Sequence, residues 1–469
     1  MNVVLICSDT FRWDYLGCYG NDWIKTPRLD KLAEESVLFL DAFAEGLPTI
    51  PARRVILTGR RIVPFRYFPQ KSDLVGQQPG WHPLYDEDVT LSEVLQEHEY
   101  TTCFVNDTYH LMKPGKNFHR GFDYWYWIRG QEDDKWAIRD QKAVQKLLDE
   151  CTGGAAWAGK KKHWITQHLM NRQTWRSEKD TNVARAMIKA ADWVKDYTRS
   201  SCTEPFFLYV DVFDPHEPWD PPLKYARLYN RKFKGVDAIV PPATRKNMDD
   251  ARFERVKAAY AGEVTLVDRW TGHLLDMLRN LKLMDDTLII FTSDHGTMMG
   301  EQDEIHKGGD RLRNQCTQVP LIIRHPQKVG AGMRIKGFVQ HQDIMPTILN
   351  MLGAPIPNRV QGVDLWPMVT QGKKSDRDTI ISAFFHHASV RTAKWNYIAP
   401  WAKVGGKPRI ELYDLENDPK ELTNVIAQHP DVAKDMDRWL RNYIKEHSDE
   451  TGGSIGPSIE VPLEDQALV

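Results

Sequence analysis

The residues best able to do chemistry fall in short clusters that each follow an apolar run: Ser8-Asp9-Thr10, Asn106-Asp107-Thr108, Asp214-Pro215-His216-Glu217 and Ser293-Asp294-His295-Gly296. Asp9, Asp294 and His295 offer two carboxylates and an imidazole, a donor set for one divalent cation. Hard oxygen ligands suit Mg, Ca or Mn, and the imidazole moves the choice toward Mn or Zn. A further cluster, Thr49-Ile50-Pro51-Ala52-Arg53, supplies a hydroxyl and a guanidinium. Pro51 favours the first turn of a helix, which predicts Thr49 at the N-cap, where free amides and the dipole attract anions. Arg53 can fork onto the same tetrahedral anion. His306-Lys307, inside Gly300–Gly308, adds two more groups able to meet developing negative charge. Singly, each has a plainer use: Asp and Asn cap helices and turns, and a threonine N-cap is worth about 1 kcal/mol without any catalytic role. Four clusters at four strand ends are harder to assign to capping alone.

The elements that must position these groups are legible as alternating apolar and amphipathic stretches. Buried strands are predicted over Val3–Cys7, Thr101–Val105, Phe206–Phe213, Thr287–Thr292 and Val319–Arg324. Helices are predicted over Pro27–Glu35, Leu91–His98, Asn182–Tyr197, Arg252–Leu281 and Asp343–Leu352. This is the pattern of an α/β fold, a large mostly parallel sheet sandwiched by helices, whose ligand site lies beyond the carboxyl ends of the strands. After Trp366 the texture changes to strand-like runs (Ile380–Phe385, Ser389–Thr392, Tyr397–Ala399, Arg409–Tyr413) and a helix over Pro430–Lys445. The expected organisation is a catalytic domain over 1–366, carrying an aromatic-rich insert at about 110–180, and a C-terminal antiparallel sheet with one helix and a tail over 367–469.

Composition bounds the partners. The 469 residues carry 62 Lys plus Arg against 64 Asp plus Glu, so no excess positive field exists to hold a nucleic-acid backbone. No stretch approaches the roughly 20 apolar residues of a membrane helix. The apolar run Val3–Cys7 begins without a basic leader, and the six cysteines form no Cys-x-x-Cys pair, so a cytoplasmic protein with reduced thiols is expected. The 16 Trp, many between Trp125 and Trp193, suggest a satellite core or a subunit contact, which fits a homo-oligomer.

Longer motifs carry a resemblance. Cys7-Ser8-Asp9-Thr10-Phe11-Arg12-Trp13-Asp14-Tyr15-Leu16-Gly17 with Thr26-Pro27-Arg28-Leu29-Asp30, then Asp214-Pro215-His216-Glu217-Pro218, Ser293-Asp294-His295-Gly296, His341-Gln342-Asp343 and Leu412-Tyr413-Asp414-Leu415, resemble sulfatases and phosphonate monoester hydrolases of the alkaline phosphatase superfamily. The motifs span nearly the whole chain in order. The resemblance implies an alkaline phosphatase-like fold, with Asp9, Asp294 and His295 holding the metal and position 49 the nucleophile beside it, itself a metal ligand.

Three departures shape the expected reaction. In sulfatases the first residue of the matching Cys/Ser-x-Pro-x-Arg motif is oxidised to formylglycine, whose hydrate expels sulfate by collapsing to the aldehyde. Thr49 cannot form it, so water must attack the central atom of a covalent threonine ester, which favours phosphorus over sulfur. Second, many sulfatases begin with two adjacent acids, whereas here the second is Thr10; fewer carboxylates suit Mn better than Ca. Third, the sulfatase Gly-Lys-x-His element is replaced by Asn106-Asp107-Thr108-Tyr109-His110, so Asn106, Thr108 and Tyr109 are expected to bind substrate as neutral donors. Pro218 stands where a second alkaline phosphatase metal would need a ligand, so one metal is expected. The resulting expectation is a hydrolase of a phosphate diester or phosphonate monoester, a small anionic ester. In it Arg53 and Lys307 hold nonbridging oxygens, and His216 or His306 protonates the leaving alcohol. A sulfatase using unmodified Thr49, or an inactive anion-binding homologue, are the alternatives.

Overall fold

The computed structural model describes the chain except for residues 67–78, 114, 133, 139, 153–157, 234–238, 247, 403–407 and 452–469. Most of the expected tail therefore lies outside the described residues.

The five apolar runs are strands at the centre of an eight-stranded sheet: Asn2–Ser8, Thr101–Asn106, Phe206–Val212, Thr287–Ser293 and Leu321–Arg324. From Thr287–Ser293 the sheet runs through Asn2–Ser8, Phe206–Val212 and Thr101–Asn106 to an edge strand, Tyr124–Trp127, all parallel. Leu321–Arg324 is antiparallel to both its neighbours. Side chains alternate between two cores. Val4 and Ile6 face the helices Pro27–Glu34, Asn182–Arg199 and Asp250–Asn280, while Val3, Leu5 and Cys7 face Thr49–Thr58, Leu91–Glu97 and Ile344–Leu352. Burial on both faces explains why the strands read as continuous apolar runs. The helix ends follow their signals: Asp249 accepts the Arg252 amide at 2.7 Å, and Gly353, at φ 67°, stops Ile344–Leu352.

Register decides what shares the rim. Ser8 lies opposite both Val212 and Ser293, and Asn106 lies opposite Asp211, so these strands deliver the residues after them to one edge.

The C-terminal strands Thr379–Phe384, His387–Thr392, Trp395–Pro400 and Glu411–Asp414 form an antiparallel sheet, packed by the helix Pro430–Thr451. A fifth strand joins this sheet from far upstream. Gly46–Leu47 runs parallel to Thr379–Phe384, with Leu47 opposite Phe384, only two residues before Thr49. Within the aromatic-rich stretch, Gln141–Thr152 and Ala158–Arg172 are helices that share a small core of Val144, Leu148, Ile165 and Leu169 with Ile239 and Val240. Among the described residues, no helix is long and apolar enough to cross a membrane.

Candidate active site

Asp9, Asp294 and His295 converge at the rim, each fully buried, with one ligand atom apiece lying within 4.8 Å of the others. Their positions are fixed by backbone. The Asp9 amide donates to the Val212 carbonyl at 2.8 Å, and the chain then turns through Thr10 at φ 59°. Thr10, standing where many sulfatases have a second acid, donates its hydroxyl to Asp9 Oδ1 at 2.7 Å and its amide to Asp294 Oδ1 at 2.9 Å. Gly296 is dictated by space: a Cβ there would lie 2.1 Å from the Gln315 carbonyl oxygen.

The donor set fits a cation. Burial pushes His295 down to about 3, so its ring is neutral, and Nδ1 pairs with the Gly296 carbonyl at 2.8 Å. With the proton on Nδ1, Nε2 presents a lone pair toward Asp294 Oδ2 at 3.4 Å and Asp9 Oδ1 at 3.9 Å, and it has no hydrogen-bond partner. A lone pair facing two carboxylates is repulsive unless a positive charge lies among them. For Asp9, burial acts upward but is outweighed by nearby positive charge, the Arg53 guanidinium foremost, which holds the carboxyl well below the usual range.

Thr49 is 1% exposed, and its Oγ1 lies 3.3 Å from Asp9 Oδ2. The helix begins at Thr49 itself, after Pro48, and no side chain caps it. The expected N-cap role is therefore corrected: the hydroxyl turns to the carboxylate rather than to its own backbone.

Arg53 also lies in the site, but not as expected. Nη1 contacts Asp9 at 2.8 Å and Asp294 closely, while Nε and Nη2 reach Asp211 at 2.9 and 3.0 Å. Its donors are committed to carboxylates rather than aimed at a substrate anion. Thr108 requires a similar correction, since its hydroxyl donates to Asp211 Oδ1 at 2.6 Å. Asn106 is buried with its amide 3.5 Å from the Tyr126 carbonyl, the limit of a hydrogen bond, and its Oδ1 unpartnered. Tyr109 opens a short turn and packs against His110, ring centroids 4.0 Å apart.

His216 and Lys307 are brought together. Lys307 Nζ lies 2.6 Å from His216 Nε2, and His216 Nδ1 lies 2.6 Å from the Glu217 carbonyl. Burial lowers the His216 pKa, which suits its Nε2 to accept from the Lys307 side chain. His306 is turned aside: its Nε2 pairs with the Pro241 carbonyl at 2.7 Å, its ring stacks on Trp219, and Nδ1 lies 3.4 Å from Glu217. Asp107 and Asp214 have structural partners, the Phe213 amide and the Gln131 side chain respectively.

Sequence reasoning missed Asp211. It accepts from Arg53, from Thr108 and from the Tyr209 hydroxyl at 2.6 Å. The signal was present as the one charge inside the wholly buried strand FFLYVDV. Glu217, which lies 3.8 Å from Lys307, and His341, whose Nε2 contacts the Ser293 carbonyl at 2.8 Å, were likewise unassigned.

The family pattern over residues 1–354, with this fold and this buried acid–imidazole group, places the chain among the hydrolases of the alkaline phosphatase superfamily. More narrowly, the chain belongs to the Sulfatase family, whose pattern matches residues 1–354; residues 310–448 also match the C-terminal region of N-sulphoglucosamine sulphohydrolase. It is similar to an arylsulfatase of Clostridium perfringens, 27% identical over 91% of this chain and 90% of that one. It is also similar to a multifunctional alkaline phosphatase superfamily protein of Trinickia caryophylli, 25% identical over 96% of each. Among solved structures, the phosphonate monoester hydrolase of Agrobacterium radiobacter shares the fold at a TM-score of 0.70, with 23% identity over 95% of this chain and 96% of that one. Enzymes of this family bind a divalent metal, and Asp9, Asp294 and His295 are the residues here that could hold it.

Proposed function

We propose that the protein hydrolyses phosphate or phosphonate esters, diesters or phosphonate monoesters above all, through a covalent phospho-threonine intermediate on Thr49. The observation that carries this reading is the unmodifiable Thr49 hydroxyl 3.3 Å from Asp9, where a formylglycine precursor would stand in a sulfatase. Asp9, Asp294 and His295 would hold one divalent ion, with manganese favoured. When bound, it supplies Lewis-acid chemistry, lowering the pKa of a neighbouring hydroxyl and offsetting charge on the ester oxygens.

The chain's own residues do the rest. Thr49 Oγ, entering as the alkoxide after its proton is released to solvent, attacks phosphorus as the bond to the leaving alcohol breaks. The alcohol oxygen takes its proton from the Lys307 ammonium, which His216 Nε2 orients. Lys307 also faces a nonbridging oxygen, the task first expected of Arg53. Arg53 instead keeps Asp9 and Asp294 close together. Water then attacks phosphorus in line and gives its proton to the Lys307 amine, while Thr49 departs as the alkoxide, so both residues return to their starting states. Asn106 and Tyr109 remain candidate neutral contacts to the substrate. A cytoplasmic homo-oligomer acting on a small anionic ester completes this reading.

A second reading, sulfate ester hydrolysis by unmodified Thr49, is favoured by the relatives named as sulfatases. Aryl sulfate, phosphate monoester, phosphate diester and phosphonate monoester substrates, assayed side by side with Mn(II), separate the two. The phosphorus esters should give the higher kcat/KM; dominant sulfate turnover would overturn the proposal.

A further inference from the structure

The chain that leaves the candidate metal ligands returns at Lys307 by way of a short hairpin. Met298–Met299 begins three residues after His295, and Ile305–His306 runs antiparallel to it, with Ile305 opposite Met299 and His306 opposite Met298. Lys307 is the next residue, so the shape of this hairpin sets where its ammonium stands relative to Asp294 and His295. The backbone around its tip is unusual. Gln302, Asp303 and His306 adopt φ 51°, 63° and 69°, left-handed conformations that few non-glycine residues take. Such conformations persist where the surroundings over-determine them, and they cluster at functional sites.

Here the surroundings come from the C-terminal sheet. Glu304 accepts Arg313 Nη1 at 2.5 Å and is also contacted by Arg409 Nη1, while Arg409 Nε pairs with Glu411. Arg313 is fully buried and donates Nε to the Tyr413 hydroxyl at 3.0 Å, and Nη2 to Glu411 Oε2 and Gln302 Oε1, each at 3.1 Å. The Gln302 amide in turn donates to the Tyr413 hydroxyl at 3.0 Å and to the Glu421 carbonyl at 2.6 Å. Glu411 and Tyr413 belong to the strand Glu411–Asp414 at the edge of that sheet. One strand of the C-terminal sheet therefore grips the hairpin at Gln302 and Glu304, the latter three residues before Lys307.

We propose that Arg313, Arg409 and Tyr413 are positioning residues, a clamp that acts through Gln302 and Glu304 to hold Lys307 against the leaving oxygen. This rests on the reading above, in which the Lys307 ammonium protonates the departing alcohol as its bond to phosphorus breaks. None of the three touches the reacting atoms. A displacement of about 1 Å at a reacting group can cost on the order of 100-fold in rate. Asp294 and His295 are held independently of the clamp: Asp294 accepts the Thr10 amide, and the Gly296 amide, next to His295, donates to the Cys316 carbonyl at 2.9 Å. Loosening the clamp therefore impairs proton delivery and leaves metal binding in place.

The test compares leaving groups that need a proton with ones that do not. Ethoxide must be protonated to depart, whereas 4-nitrophenolate is stable enough to leave as the anion. The Mn(II)-loaded parent and the variants Lys307→Ala, Arg409→Ala and Tyr413→Phe are assayed on the ethyl and 4-nitrophenyl monoesters of phenylphosphonate, and on the sulfate monoesters of the same two alcohols. Arg409 lies at the outer end of the clamp and Tyr413→Phe removes a single hydroxyl, so both variants should fold where loss of the buried Arg313 need not. Lys307→Ala should lose at least tenfold more kcat on the ethyl ester than on the nitrophenyl ester. Arg409→Ala and Tyr413→Phe should show the same bias at about fivefold, with Mn(II) affinity unchanged, and Arg409→Lys should recover part of it. Introduced into Lys307→Ala, neither should add any further ethyl-specific loss, because the group they position is gone. Equal falls on the two esters, or an undiminished bias in the Lys307→Ala background, overturn the clamp. If Lys307→Ala itself shows no bias, the acid assigned above is wrong and the clamp falls with it. If the sulfates turn over and the phosphonates do not, the phosphorus reading fails while the same comparison on the sulfates still decides the clamp. Turnover of neither series sinks both.

Discussion

Arg53 grips Asp211 with two parallel bonds, Nε to Oδ2 at 2.9 Å and Nη2 to Oδ1 at 3.0 Å, and thereby points its remaining nitrogen at Asp9 and Asp294. All four residues are fully buried. Breaking such a network by removing one partner leaves charge uncompensated, at a cost of about 3–5 kcal/mol. Arg53→Ala is therefore expected to lower stability by roughly that amount in urea unfolding, and Arg53→Lys to recover only part of it, because an ammonium cannot fork. Asp211→Asn frees the guanidinium to swing and should lower Mn(II) affinity or kcat about 10–100-fold, as loss of an outer-shell partner does. Normal stability in Arg53→Ala would show that the network is not what holds this edge.

Thr49 should behave as a nucleophile rather than as a packing residue. Thr49→Ala is expected to reduce kcat by about 1,000-fold or more, and Thr49→Ser to keep measurable turnover. Acid quenching during turnover, followed by peptide mass spectrometry, should find the phosphorus group on the peptide containing Thr49. An unmodified peptide at steady state combined with full activity in Thr49→Ala removes the covalent step.

Much of this was legible in the sequence for a physical reason. Strands buried on both faces must be apolar throughout, so Val3–Cys7 and Phe206–Phe213 could be read within a residue or two, and their polar ends located the rim. Less legible was anything that depends on which way a side chain turns. Thr108 and His306 have suitable chemistry, but Asp211 takes the hydroxyl of one and the Pro241 carbonyl takes the ring of the other. Gly46–Leu47 carries no pattern because two residues cannot show a period of two, so the union of the two sheets beside Thr49 could not be foreseen. Asp211 could have been: a carboxylate inside a buried apolar strand needs a cationic partner, and Arg53 was already a candidate.

Chelation should separate the metal from the fold. Dialysis of the purified protein against EDTA is expected to abolish turnover and lower Tm, and calorimetric titration with Mn(II) should return close to one ion per chain. Asp294→Asn and His295→Ala should each weaken that binding at least tenfold. Unchanged Mn(II) binding in both variants would move the cation elsewhere.

Glu45 makes a prediction about pH. Its carboxylate is fully buried and accepts the Val63 amide at 3.0 Å and the Ile62 amide at 3.2 Å, and Arg61 is the cation that acts on it. Burial raises the group from 4.5 to about 7, with the two amides and Arg61 opposing. Between those values the folded protein holds a proton that the unfolded chain has released. Unfolding free energy must therefore fall as pH rises across this window, by roughly 2–3 kcal/mol for this one residue, and the loss is complete above about pH 7. Glu45→Gln has no such titration. Urea unfolding at pH 5 and pH 8 should show a drop in the parent that exceeds the drop in Glu45→Gln by roughly 2 kcal/mol or more. The difference between the two proteins isolates Glu45, because the other buried acids that titrate in this range, Asp214 and Asp268, are present in both. Parallel pH profiles would mean that Glu45 keeps its ordinary pKa despite its burial.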